Sequence, residues 1–187
     1  DARKIATGQV PVLFDASLAA GLIGHFTSAI SGGNLYRKSS FLLDSLGQQV
    51  FSPLVQIAER PHILRALGSS AFDAEGVATE DRELVQNGVV NGYLLGSYSA
   101  RKLGMQSTGN AGGSHNLLVA STGEDFAALL QKMGTGLLLT ELLGHGVNPV
   151  TGDYSRGAAG FWVENGVIQY PVEEITVAGN LRDMFKG

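Results

Sequence analysis

The sequence has no cysteine, which excludes disulfide bonds, thiolate zinc ligands and a cysteine nucleophile and is consistent with a reducing compartment. No apolar run reaches the roughly 18 residues that a membrane-spanning helix needs. No basic stretch followed by an apolar core opens the chain either, so neither a membrane anchor nor a secretion signal is expected, and a cytoplasmic location is. Cations are few: 13 Lys and Arg stand against 17 Asp and Glu, a formal net charge of −4. Nucleic-acid surfaces carry clustered basic stripes, and none is present, so direct nucleic-acid binding is not expected. Proline is scarce at 5 residues, and charged residues make up 16% against 44% hydrophobic ones. A 187-residue chain of that make-up has enough apolar side chain to fold around a real core.

What the chain does have is glycine, 26 residues, about double the usual share of roughly 7%. These glycines stand between apolar segments without a repeat and read as turn and hairpin punctuation. Val10 to Phe14 reads as a strand. Asp15 then caps a helix in which Leu18, Leu22, Phe26 and Ile30 recur every fourth residue, up to Ser31-Gly32-Gly33. Gly21 and Gly24 cost that helix roughly 1 kcal/mol each against alanine, which predicts a close approach by a sheet, a partner helix or a ligand. Gln49 to Ile57, interrupted by Pro53, reads as an edge or broken strand, and the acidic stretch Phe72 to Glu83 as a solvated loop. Asn87-Gly88 and Asn165-Gly166 predict two hairpins, Glu83–Gln86 with Val89–Leu95 and Phe161–Glu164 with Val167–Tyr170. Ser107 to Ser114 reads as a mobile loop or a backbone-lined site and Asn116 to Ala120 as a strand. Phe126, Leu129, Leu130 and Met133 give a helix capped by Ser121 or Thr122 and stopped at Gly134. Leu137 to Leu143 and Val172 to Ala178 complete the strands, and Asn180 caps a closing turn. The expected class is α+β, Gly-rich, with a largely antiparallel or mixed sheet, hairpins and a few packed helices.

Catalytic chemistry is sparse. A metal site needs two or three histidines or carboxylates on one surface, and no His-Glu-x-x-His arrangement occurs. Ser97 and Ser99 in Gly-Ser-Tyr-Ser-Ala approach a nucleophile elbow without its final glycine, and a short helix from Ser99 to Leu103 is the better reading. Gly109 to Gly113 lacks the endings of nucleotide-binding loops. The basic pairs Arg37-Lys38 and Arg101-Lys102 read as solvated faces.

Several runs resemble the TldD/PmbA family. They are Gly146-Val147-Asn148-Pro149-Val150-Thr151-Gly152-Asp153-Tyr154-Ser155, Gly157 to Gly166, Tyr170-Pro171-Val172 through Ile175 to Leu181, Ser99 to Ala111, and Phe72-Asp73-Ala74-Glu75-Gly76. The resemblance implies a metalloprotease system of two related subunits that acts on unfolded or short peptides, including antibiotic-peptide precursors, and that has also been named a modulator of DNA gyrase. TldD-type members carry a His-Glu-x-x-x-His helix in which two His hold zinc and the Glu serves as base. Here the matching positions are Ala20, Gly21 and His25, so only the second His survives. That departure, with Arg37-Lys38-Ser39-Ser40-Phe41-Leu42, resembles the PmbA (TldE) branch. Family members are longer, which implies that residues 1–187 form a single C-terminal domain, without the N-terminal domain and the final C-terminal segment.

The resemblance therefore implies a chain with no catalytic or metal-ligating residues of its own and no cofactor. Zinc is expected in a TldD-type partner, and the partners are that subunit in a heterodimer, or a second copy, and a peptide substrate. Substrate contacts are expected at His25 and Arg37, at Thr108, Gly109 and Asn110, and at Asn148, Thr151 and Asp153. The alternatives are an active hydrolase with an unseen site and a non-enzymatic interaction module of a gyrase or toxin system. For both loops plain turn chemistry competes with the binding role.

Overall fold

In the computed structural model, which describes residues 2–187, the chain runs through thirteen elements. They are β1 (Val12–Phe14), α1 (Ala16–Ala29), α2 (Gly32–Tyr36), β2 (Ile57–Glu59), β3 (Arg82–Gln86), β4 (Val89–Val90), α3 (Ser97–Leu103), β5 (Leu117–Val119), α4 (Phe126–Met133), β6 (Gly136–Leu143), β7 (Asp153–Glu164), β8 (Val167–Asn180) and α5 (Leu181–Met184). Two four-stranded sheets and these helices make the fold α+β, as expected. The described residues group into two compact units. One holds the chain up to Gly24 with Thr122–Asn148 and Asp153–Asn180, the other His25–Ser121, Pro149–Gly152 and Leu181–Gly187. Among the described residues no helix is long and apolar enough to cross a membrane.

The first unit is built on the sheet β1-β6-β7-β8, in which β1 runs parallel to β6 and the other pairs are antiparallel. Its hairpin turns at Asn165-Gly166, with φ of 52° and 72°, the paired left-handed residues that a type I′ turn requires. Its strands reach 12 and 14 residues, longer than the hairpin read from sequence, because bulges between Ala158 and Gly160 and between Trp162 and Val163 carry the pairing past breaks in the alternation. Both faces of β6 are covered, which is why it reads Leu-Leu-Leu rather than alternating. Leu137 and Leu139 pack with Ala158, Val172 and Leu18 of α1, and Leu138 packs with Val163, Leu130 and Met133 under α4. The cap of α4 is Asp125, whose Oδ1 accepts the Ala128 N–H at 2.8 Å. The expected caps are corrected on this point: the helix begins at Phe126, one residue after Asp125, and the Thr122 hydroxyl instead bonds Glu124 at 3.0 Å.

The second unit holds the antiparallel sheet β4-β3-β2-β5. Its hairpin turns at Asn87-Gly88, with φ of 50° and 76°, but β4 is shorter than expected, although the Asn91 N–H carries the register one step further to the Leu84 carbonyl at 2.9 Å. The stretch from Gln49 to Ile57 is broken, pairing only at its ends, where Gln49 bridges Val89 and Ile57 opens β2. Val50 and Phe51 both donate to the Gly88 carbonyl at 3.0 Å, after which the backbone turns around Pro53 and regular pairing starts only at Ile57. Phe51 and Phe185 stack with centroids 4.5 Å apart, and Phe26 meets both edge to face, which makes these three the aromatic centre.

The close approach expected at the glycines of α1 is not made within the described residues. A Cβ added at Gly21 or Gly24 meets nothing within 4 Å, and Ala20, Gly21 and Gly24 are exposed.

Candidate functional site

The motifs that carry the family resemblance in the second unit converge on one buried polar network. Its centre is Glu59, 1% exposed at the end of β2. Glu59 Oε1 accepts from Asn110 Nδ2 and from the His115 backbone N–H, both at 2.8 Å. Its Oε2 accepts from Arg82 Nη2 at 2.7 Å and Nε at 3.2 Å. Glu59 and Arg82 face each other across the β2–β3 register. Arg82 also donates to Asn110 Oδ1 at 2.7 Å and to the Tyr93 carbonyl at 3.0 Å. Removing a carboxylate from water is costly unless its lone pairs are filled, and here four donors fill them.

Two further motifs lock onto this centre. In Phe72-Asp73-Ala74-Glu75-Gly76, Asp73 Oδ1 accepts the backbone N–H groups of Glu75 and Val77, and Oδ2 that of Ala111, all at 2.9 Å. Burial pushes the Asp73 carboxyl up, but these three bonds, with nearby His115, outweigh it and hold the group below its ordinary range. Glu75 Oε2 accepts the Ser97 N–H at 2.7 Å, at the start of a helix whose cap residue, Gly96, has no side chain to offer. Ser97 holds the Glu75 carboxyl low as well, first through its side chain and then through this backbone bond. In Ser107-Thr108-Gly109-Asn110, the Thr108 hydroxyl accepts the Leu95 N–H at 2.8 Å and lies 2.7 Å from Asn110 Oδ1. Gly109 has φ of 69°, and an added Cβ would collide with the Ala78 carbonyl. A left-handed backbone and a close neighbour both demand glycine there.

These contacts correct two expectations. The stretch from Phe72 to Glu83 is exposed at most positions but is not wholly solvated loop: Asp73 and Thr79 are buried, Asp81 and Glu83 pair with Arg60, and β3 begins at Arg82. The segment from Ser107 to Ser114 is tied down by side chains and backbone rather than free. Helix α3 also starts earlier than expected, and Ser99 is buried with its hydroxyl donating to the Gly96 carbonyl at 3.1 Å. That serine is not presented as a nucleophile.

Thr108, Gly109 and Asn110 thus belong to the framework around Glu59. His25 is half-buried on α1, and Arg37 is exposed as the C-cap of α2, its guanidinium 5.1 Å from the Tyr36 ring. Asn148 and Asp153 are exposed and joined, the Asn148 N–H donating to the Asp153 carbonyl at 2.8 Å, while the Asp153 carboxylate accepts from Asn180 at 3.1 Å. Thr151 is exposed in the intervening turn. Glu59 and Arg82 are the site residues that sequence reasoning missed. The available signal was a lone carboxylate ending the apolar strand Ile57-Ala58.

The zinc ion that the resemblance implies for TldD-type members does not fit α1. Ala20 and Gly21 offer no donor atom, and no group of three or more His, Cys, Asp or Glu residues able to hold a metal occurs among the described residues.

The interlocked Asp-Ala-Glu-Gly and Ser-Thr-Gly-Asn motifs of one unit and the long Asn-Gly hairpin of the other define the class. The chain belongs to the PmbA/TldA metallopeptidase C-terminal domain family, whose profile matches residues 7–187. It is 62% identical over 186 residues to a protein named metalloprotease PmbA homolog from Haemophilus influenzae, covering 98% of this chain and 41% of that one. It is 58% identical over 184 residues to metalloprotease PmbA of Escherichia coli O157:H7, with the same coverage of 98% and 41%. The crystal structure of a candidate modulator of DNA gyrase from Bacteroides thetaiotaomicron superimposes with a TM-score of 0.94 at 34% identity, covering 99% of this chain and 42% of that one. A protein named metalloprotease TldD homolog, again from Haemophilus influenzae, is 26% identical over 185 residues, covering 92% of this chain and 38% of that one. The chain spans about two fifths of the length of these curated relatives.

Proposed function

We propose that this chain is the C-terminal domain of a PmbA-type subunit that does not itself hold the metal in a two-subunit peptidase. A TldD-type partner supplies zinc and the catalytic base, and the pair cuts short or unfolded peptides in the cytoplasm. The observation that carries this reading is the replacement on α1: two of the three positions aligned with the metal motif are Ala20 and Gly21, which have no ligand atom. The contrast between 62% identity to a PmbA homologue and 26% to a TldD homologue of the same organism supports the same branch. The exposed positions His25, Arg37, Asn148, Thr151 and Asp153 are assigned to peptide contact. Thr108, Gly109 and Asn110 act one step behind, as the frame.

Mixing tests the proposal. Full-length protein, the TldD-type partner and an equimolar mixture are each incubated with an unfolded peptide. Cleavage only in the mixture, abolished by a chelator, is the expected result. Cleavage by this protein alone contradicts it.

A further inference from the structure

On the surface, α2 and α3 gather a cluster of which the peptidase reading uses only Arg37. Gly32, the first residue of α2, has no side chain, and a Cβ there would strike Ser99 of α3. The two helices therefore approach closely enough for Tyr36 and Tyr98 to meet edge to face, ring centroids 5.6 Å apart. Arg37 lies 5.1 Å from the Tyr36 ring and Lys102 lies 5.6 Å from that of Tyr98. Cation, ring, ring and cation form one row across two helices. Arg37 Nη1 donates to the Tyr36 hydroxyl at 3.0 Å, and the space left by Gly33 receives its guanidinium, since a Cβ there would stand 3.1 Å from Nη2. Lys38 and Arg101 flank the row. The cluster faces solvent: Tyr98 is 52% exposed, and all four cations are exposed. Arg101 senses Glu75, but among the described residues no ion pair engages Arg37, Lys38 or Lys102.

We infer that this row is a docking surface for an acidic segment of a polypeptide; it shares only Arg37 with the peptidase reading, and its binding is tested without any cleavage. Carboxylates accept from the Arg37 fork and from Lys102, and the paired tyrosines seat the side chains between them. Helix-end electrostatics favour Arg101 and Lys102 in the last turn of α3, but they do not account for a row that bridges two helices. A polypeptide suits the surface better than a nucleic acid. Four cations on a chain of net charge −4 fall short of the roughly 6–10 phosphate contacts of strong nucleic-acid binders.

The test is fluorescence anisotropy of the full-length protein with a labelled peptide of alternating glutamate and alanine. The expected result is saturable binding that is absent for the glutamine analogue and lost near 1 M salt, where screening acts within about 3 Å. Arg37→Gln with Lys102→Gln weakens it about tenfold. Lys4→Gln with Lys132→Gln, which removes the same charge elsewhere, leaves it unchanged. Amide resonances of Gly33, Arg37, Tyr98 and Lys102 shift on peptide addition, a readout that needs no variant. Equal binding of the glutamine peptide, equal loss in the control pair, shifts confined elsewhere, or tighter binding of an oligothymidylate of the same length would overturn the inference.

Discussion

Glu59 and Arg82 form an ion pair that water scarcely reaches, with side-chain exposures of 1% and 19%. Removing one member of such a pair leaves an uncompensated group inside, which costs about 3–5 kcal/mol. Glu59→Ala is therefore expected to lower stability by that amount in urea titration, and Glu59→Ala with Arg82→Ala by less than the two single losses added. A loss below about 1 kcal/mol for Glu59→Ala, the range of an exposed pair, contradicts the network. Asp73 gives a second residue-scale prediction. Its folded carboxyl is held below the ordinary value, so the folded state binds the proton less readily than the unfolded chain, whose value is about 3.9. The stability it contributes is full above that value and is lost as pH falls through the folded one. Asp73→Asn is expected to flatten the acid limb of stability against pH between about pH 5 and 2, and parallel curves for both proteins would argue against it.

Among the elements, α4 and β7 separate what could be read in the sequence from what could not. The helix of Leu130 and Met133 is legible because their apolar spacing reports the face that meets Leu138 of β6, although Phe126 of the same pattern is exposed. Its cap is not, because Ser121, Thr122 and Asp125 are all competent and only the backbone path decides. Asp125→Ala is expected to cost about 1 kcal/mol, and Thr122→Ala close to nothing, by thermal denaturation; the reverse order would restore Thr122 as cap. Both hairpins are legible for a local reason, since Asn-Gly dipeptides carry their own backbone preference. Glu59 is not legible, because its partners stand far along the chain at Arg82, Asn110 and His115. Gly160 shows the same limit in β7: an added Cβ would meet the Leu138 carbonyl of β6, a demand visible only once the strands are paired. Gly160→Ala is expected to break the β6–β7 ladder and to lower stability by more than Gly157→Ala, whose nearest contact is an ordinary 3.4 Å from Leu143. Equal losses in denaturant titration would contradict the close approach.

At the scale of the whole molecule, the family's recognisable runs divide into two roles. Those around Asp73, Glu75, Thr108 and Asn110 hold the frame, and their chemistry is spent on internal hydrogen bonds. The position that would carry catalysis in a TldD-type relative lies on an open face of α1, where Ala20 and Gly21 have no ligand atoms. Resemblance made the family legible from sequence, while the division between frame and site needed the folded chain, because a buried asparagine and a substrate-binding one look alike in a linear motif.

Zinc binding by the full-length protein, measured by equilibrium dialysis in the absence of any partner, tests most directly the proposal that this subunit does not itself hold the metal. No stoichiometric zinc is expected, and Ala20→His with Gly21→Glu should raise the affinity by rebuilding the His-Glu-x-x-x-His helix. One tightly bound zinc per chain, lost on His25→Ala, would contradict it.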